Sequence, residues 1–130
     1  MEKLSERKRF SIIARARSFR HALRGIGIIF KTQHNAWIHG VAAVVVIGLG
    51  LWLKISAGEW AGILLSVTSV LAAEAFNTAV EIDIDLTSPN YHPYARDTKD
   101  VASAAVLITA LGAALVGIVV FVPKLFVLFS

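Results

Sequence analysis

The stretch Trp60–Asp85 reads WAGILLSVTSVLAAEAFNTAVEIDID. Its first fourteen residues, to Ala73, carry no charge, and its last twelve hold Glu74, Glu81, Asp83 and Asp85. As a helix, fourteen residues rise about 21 Å, short of the ~30 Å hydrocarbon layer of a bilayer. A crossing helix must therefore carry Glu74 into or beside the membrane. Counted from the outer end, Glu74 sits ~22 Å along the axis and Glu81 ~33 Å. Glu81 then lies near the inner boundary and Glu74 about two turns deeper. The spacing predicts a span over 59–85, with Glu74, Asn77, Glu81 and Asp85 sharing one face.

Upstream, nothing from Ala36 to Leu53 is formally charged, and Trp37 and Trp52 stand near the two ends where aromatic belts form. This predicts a first span over 35–54, with "KISAGE" (Lys54–Glu59) as a short outer turn. Downstream, Val101 to Val122 is apolar and rich in Ala and Gly, which permit close helix packing. The third span is placed at 98–123, closed by Pro123 and Lys124. Asp97 is read as its N-cap, with Asp100 three positions later. Between the second and third spans, Ser88-Pro89 and His92-Pro93 mark an irregular loop over 86–98.

Ahead of the first span, Ile12, Ala16, Phe19, Leu23, Ile26 and Phe30 recur at three- and four-residue spacing. Arg17, Arg20, Arg24 and Lys31 fall beside that stripe. Residues 10–31 are expected to form an amphipathic helix in the headgroup plane, its cations toward phosphates. Gly25 and Gly27 are places where it can loosen. The fold class is all-α integral membrane: a surface helix, then three transmembrane helices, in a single domain of 130 residues.

The bulk numbers agree. The chain is 56% hydrophobic and only 17% charged, with formal charge +4. Nine of thirteen Lys and Arg lie before residue 32: Lys3, Arg7, Lys8, Arg9, Arg15, Arg17, Arg20, Arg24 and Lys31. That asymmetry is the positive-inside pattern, not a nucleic-acid surface. It places the amino end in the cytoplasm and the chain in a bacterial inner membrane. No cleavable signal pattern follows the basic residues directly. With no cysteine, disulfides, thiolate metal sites and cysteine nucleophiles are excluded. No GxxxxGK[ST] string or protein-kinase signature occurs.

With three spans, the 86–98 loop returns to the basic, cytoplasmic side. There the acidic stripe meets Lys99 and Asp100, read as a helix start that favours phosphate. Gln33, His34 and Asn35 lie at the same level, and His39 one turn deeper. Intramembrane acids usually face a partner or a site. Paired carboxylates can hold Mg²⁺, a hard ion that takes oxygen ligands, and can supply a general base. Glu81, nearer the surface, suits the metal. Glu74, deeper, suits the base. Other readings compete: both acids as interhelical glue to Arg or His, an ion path in a transport subunit, or Lys99 as a solvated cation. His39 alone reads as a packing or hydrogen-bonding residue. Asp83 turns away from Glu81.

The stretch "EAFNTAVEIDIDLTSPNYHPYARDTKDVASAAVL" (Glu74–Leu107), with "SFRHALRGIGIIFKTQHNAWIH" (Ser18–His39), resembles the small prokaryotic diacylglycerol kinase family, which includes the undecaprenol kinases. The likeness centres on Glu-x-x-Asn-Thr-Ala-x-Glu, then Asp85, then Lys99-Asp100. "SPNYHP" is more similar to the undecaprenol-kinase branch. The resemblance implies a homotrimer that moves the γ-phosphate of MgATP to the hydroxyl of a membrane lipid, undecaprenol or diacylglycerol. It implies Glu74 as general base and Glu81 as metal ligand. Asn77, Asp85, Lys99 and Asp100 would surround the nucleotide. The family commonly has a metal-shell glutamate where this chain has Gln33. A glutamine still offers one carbonyl oxygen but no charge. The alternative is a weak or inactive member serving a structural or transport role.

Overall fold

The computed structural model describes residues 10–130. Lys3, Arg7, Lys8 and Arg9 of the basic cluster lie outside the described residues. Four helices follow one another: α1 (Ile12–Thr32), α2 (His34–Trp52), α3 (Ala57–Thr87) and α4 (Pro93–Phe129). The last three are each long and apolar enough to cross a membrane. Phe19, Leu23 and Ile26 of α1 are more than half exposed on its apolar face, as suits a helix lying on lipid. The helix runs unbroken through Gly25 and Gly27.

Only Gln33, in an extended conformation (φ −116°, ψ 114°), separates α1 from α2. The corner is held from both sides. Trp37 Nε1–H donates to the Phe30 carbonyl at 2.6 Å, and the two rings meet edge to face with centroids 5.5 Å apart. Phe30 also fills the space over Gly40, where a Cβ would come within 3.0 Å of its ring. This corner fixes how Gln33 is presented to the rest of the fold.

At the far end the turn is shorter than the sequence suggested. It covers residues 53–56, and Glu59 belongs to α3. Ser56 caps α3 through a reciprocal box with Glu59: the Glu59 amide donates to Ser56 Oγ at 3.2 Å, and the Ser56 amide to Glu59 Oε2 at 2.8 Å. Glu59 Oε2 also lies 3.2 Å from Lys124 Nζ, tying α3 to α4. The apolar core sits at this end, where Ile55, Ile63, Val120 and Phe121 pack with Trp60 and Val116. Gly50 lets Trp60 approach closely; a Cβ there would lie 2.9 Å from the indole ring.

α3 packs more extensively on α4 than on α2. Its 31 residues span about 46 Å and the 37 of α4 about 55 Å, so both outreach a bilayer core. The structure corrects three expectations here. α4 begins at Pro93, because the His92 imidazole accepts the Tyr94 amide at 3.2 Å and proline at the first position gives up no needed donor. Asp97 is therefore not a cap; it lies in the second turn beside Arg96, at 3.2 Å. Lys99 and Asp100 are likewise inside the helix, so no free helix N-terminus stands beside them for phosphate. The loop contracts to residues 88–92. Finally, α4 does not stop at Pro123 but runs on to Phe129. In an apolar setting the remaining backbone groups still need intrahelical partners, and one missing donor does not end the ladder.

Candidate active site

Each polar residue of the site is aimed by its helix. Glu74 lies on the face of α3 turned toward α2 and is 1% exposed. Three residues on, Asn77 is buried too, and Thr78 beside it turns its hydroxyl back to the Glu74 carbonyl at 2.8 Å. That internal bond satisfies Thr78 and leaves Glu74 and Asn77 to face outward from α3.

Glu81 is approached by two amides. Asn77 Nδ2 donates to its Oε1 at 3.2 Å, an i to i+4 contact along α3. Gln33 Nε2, from the α1–α2 corner, donates to Oε2. One turn further along, Asp85 Oδ1 meets Lys99 Nζ of α4 at 2.6 Å. Asp85 is exposed and Lys99 half-buried. Asp100 is exposed and shares no hydrogen bond or ion pair with the others among the described residues. So the structure joins Gln33, Asn77 and Glu81 in one chain of contacts, and Asp85 to Lys99, and leaves Asp100 apart.

Glu74 meets His39, which the sequence set in the same layer and suited to packing or hydrogen bonding. His39 Nε2 of α2 stands 3.3 Å from its Oε1. The contact lacks hydrogen-bond geometry: among the described residues, Glu74 Oε1 and Asn77 Oδ1 are buried acceptors without a hydrogen-bond partner. Both side chains line one small chamber of about 230 Å³, bounded also by Asn35 and His39 of α2 and Ser103 of α4. Two unpaired buried acceptors around a common space call for a hydrogen-bond donor to enter it. Beneath it lies a second cavity of about 250 Å³, lined largely by apolar side chains such as Ile63, Val70 and Ala113. His39 and Ala110 border both. A part-polar chamber that shares a wall with an apolar one suits a molecule with a hydroxyl head and a greasy tail.

Among the described residues no three His, Asp or Glu side chains gather as a ready metal site. Glu81 offers one carboxylate, and Gln33 would add a carbonyl oxygen with its amide turned over. A donor set so small fits Mg²⁺, which is held by one or two protein oxygens and completed by water and substrate phosphates.

A helical membrane protein with acids, amides and a lysine gathered at one end of its spans, beside a surface helix, has the layout of a membrane-embedded enzyme working at the bilayer surface. Residues 20–121 match the family described as prokaryotic diacylglycerol kinase. The undecaprenol kinase of Bacillus subtilis (strain 168) is 37% identical over 109 residues, which cover 84% of this chain and 89% of that protein. The diacylglycerol kinase of Synechocystis sp. is 38% identical over 109 residues, 83% of this chain but 62% of that longer protein. The diacylglycerol kinase of Escherichia coli (strain K12) is 30% identical over 100 residues, 72% of this chain and 82% of that protein. The chain belongs to the prokaryotic diacylglycerol kinase family, a family of membrane lipid kinases, and is a multi-pass protein of the bacterial inner membrane.

Proposed function

We propose that the protein transfers the γ-phosphate of ATP to the hydroxyl of undecaprenol at the cytoplasmic membrane surface. The observation that carries this reading is Glu74: a buried carboxylate with an oxygen unpaired among the described residues, facing a chamber that borders an apolar cavity across His39 and Ala110. A lipid hydroxyl entering the chamber would donate to Glu74, which would take its proton as general base. The chain's likeness to an undecaprenol kinase over 89% of that protein supports the polyprenol over a diacylglycerol. Diacylglycerol is the second candidate, supported by the Synechocystis and Escherichia coli relatives.

The other residues divide the remaining work. Glu81 and Gln33 would hold Mg²⁺, which when bound neutralises charge on the phosphates. Asn77 holds Glu81 in place along α3. Lys99 would meet the nucleotide's phosphates, with Asp85 orienting its ammonium. Asp100 is proposed at the outer edge of the nucleotide. Positioning accounts for most of such a reaction, because the phosphoryl group passes with little covalent help from the protein. The membrane itself holds the lipid tail. We also propose a homotrimer, in which neighbouring copies cover the apolar helix faces that a single chain leaves exposed.

The test is a side-by-side assay of the purified protein with MgATP and either undecaprenol or dioleoylglycerol in mixed micelles. The reading predicts phosphorylation of both or of undecaprenol alone, with higher kcat/KM for undecaprenol. No transfer to either would support the structural or transport alternative, for which Gln33 in place of an acid and the engagement of Glu74 by His39 speak.

A further inference from the structure

We infer that His39 is a positioning residue that acts through Glu74: it turns the carboxylate toward the chamber and passes the transferred proton out to water. This rests on the reading of Glu74 as the base. An isolated carboxylate buried away from water is costly unless it is paired. The partner within reach is His39, 3.3 Å away. Its side chain is 24% exposed against 2% for Glu74, so of the two it is the one nearer the surface of the chain.

Among the described residues no titratable side chain besides Glu74 and His39 lines the chamber. From α3 it is faced by Glu74 and Asn77, with Glu81 two turns further along that helix. From α4 it is faced by Ser103, Val106, Leu107 and Ala110. α1 presents the Phe30 ring to this part of α2, at Gly40. A proton received by Glu74 thus has one acceptor beside it. Imidazole is suited to the task, since its unprotonated ring nitrogen accepts a proton and the cation can release one.

The steps balance. The lipid oxygen bonds to the γ-phosphorus as the bond from that phosphorus to the β–γ bridging oxygen breaks and ADP leaves. The hydroxyl proton passes to Glu74. Glu74 gives it to the unprotonated Nε2 of His39, leaving carboxylate and imidazolium. The imidazolium then loses a proton to water, and the site is restored.

The test compares wild type with His39→Ala and His39→Gln. Glutamine preserves polarity and approximate size but carries no proton; alanine joins the two cavities and leaves room for free imidazole. Both variants are expected to lose kcat by on the order of 10²-fold, with KM for MgATP changed less than about twofold. Added imidazole should restore part of the His39→Ala rate and none of the Glu74→Gln rate. An active wild type whose variants keep kcat, or whose His39→Ala loss resists imidazole, overturns the role of His39 alone. If neither variant folds, His39→Asn takes their place, and a His39→Asn protein that keeps the wild-type kcat overturns it. A wild type that phosphorylates no lipid overturns this inference and the kinase reading together.

Discussion

Gln33 reaches from the α1–α2 corner to Glu81 of α3, 48 positions later in the chain, and its amide nitrogen donates to the carboxylate. The contact joins the surface helix to the acidic end of a membrane span through a neutral group. Replacing Gln33 with Glu sets two carboxylates side by side. Without metal they repel; with Mg²⁺ both become ligands. Gln33→Glu is therefore expected to lower the Mg²⁺ concentration for half-maximal rate by roughly tenfold, equivalent to about 1.4 kcal/mol. A titration of rate against free Mg²⁺ checks it. An unchanged midpoint would remove Gln33 from the metal's surroundings.

The Lys99–Asp85 pair is short, at 2.6 Å, yet exposed. Exposed pairs contribute under about 1 kcal/mol to stability. Lys99→Met should leave the melting temperature nearly unchanged. It should raise KM for MgATP by about tenfold or more, as expected when a phosphate-binding cation is lost. Asp85→Asn should have a smaller effect of the same sign. A large drop in melting temperature with KM intact would make the pair structural.

The outer turn offers a control far from the chemistry. Gly50→Ala would put a methyl group 2.9 Å from the Trp60 ring and 3.1 Å from Ile55. Overpacking of this kind costs roughly 1–3 kcal/mol. Gly48 on the same helix has nothing within 4 Å of its would-be Cβ. Gly48→Ala should instead be neutral or stabilise by up to about 1 kcal/mol. Both should keep KM for MgATP, since Gly50 packs at the end of the molecule away from Glu81. Equal melting temperatures for the two variants would contradict the packing described.

How much of this was legible in the sequence follows from what each feature depends on. The apolar runs and the one-sided basic residues depend only on composition along the chain, and they foretold three long helices behind an amphipathic one. The Asn77–Glu81 contact was also legible, because i to i+4 spacing belongs to a single helix. The start of α4 differs from the sequence expectation because His92-Pro93 fits two signals at once: it punctuates a loop, and proline at a helix's first position equally starts a helix. The sequence put His39 in the same layer and left pairing of the acids with Arg or His open, but that Glu74 is the one His39 approaches, at 3.3 Å, was not legible. It depends on which face of α2 turns to α3, and that is set by the Gln33 corner and by Trp60 packing over Gly50, neither of which periodicity reveals.

The most direct measurement is transfer of labelled γ-phosphate from MgATP to undecaprenol by wild type and by Glu74→Gln, with helix content and MgATP binding followed in parallel. The account predicts labelled lipid from wild type, and a loss of on the order of 10³-fold or more in the variant, with helix content and nucleotide binding retained. A Glu74→Gln protein that phosphorylates the lipid at the wild-type rate would contradict it.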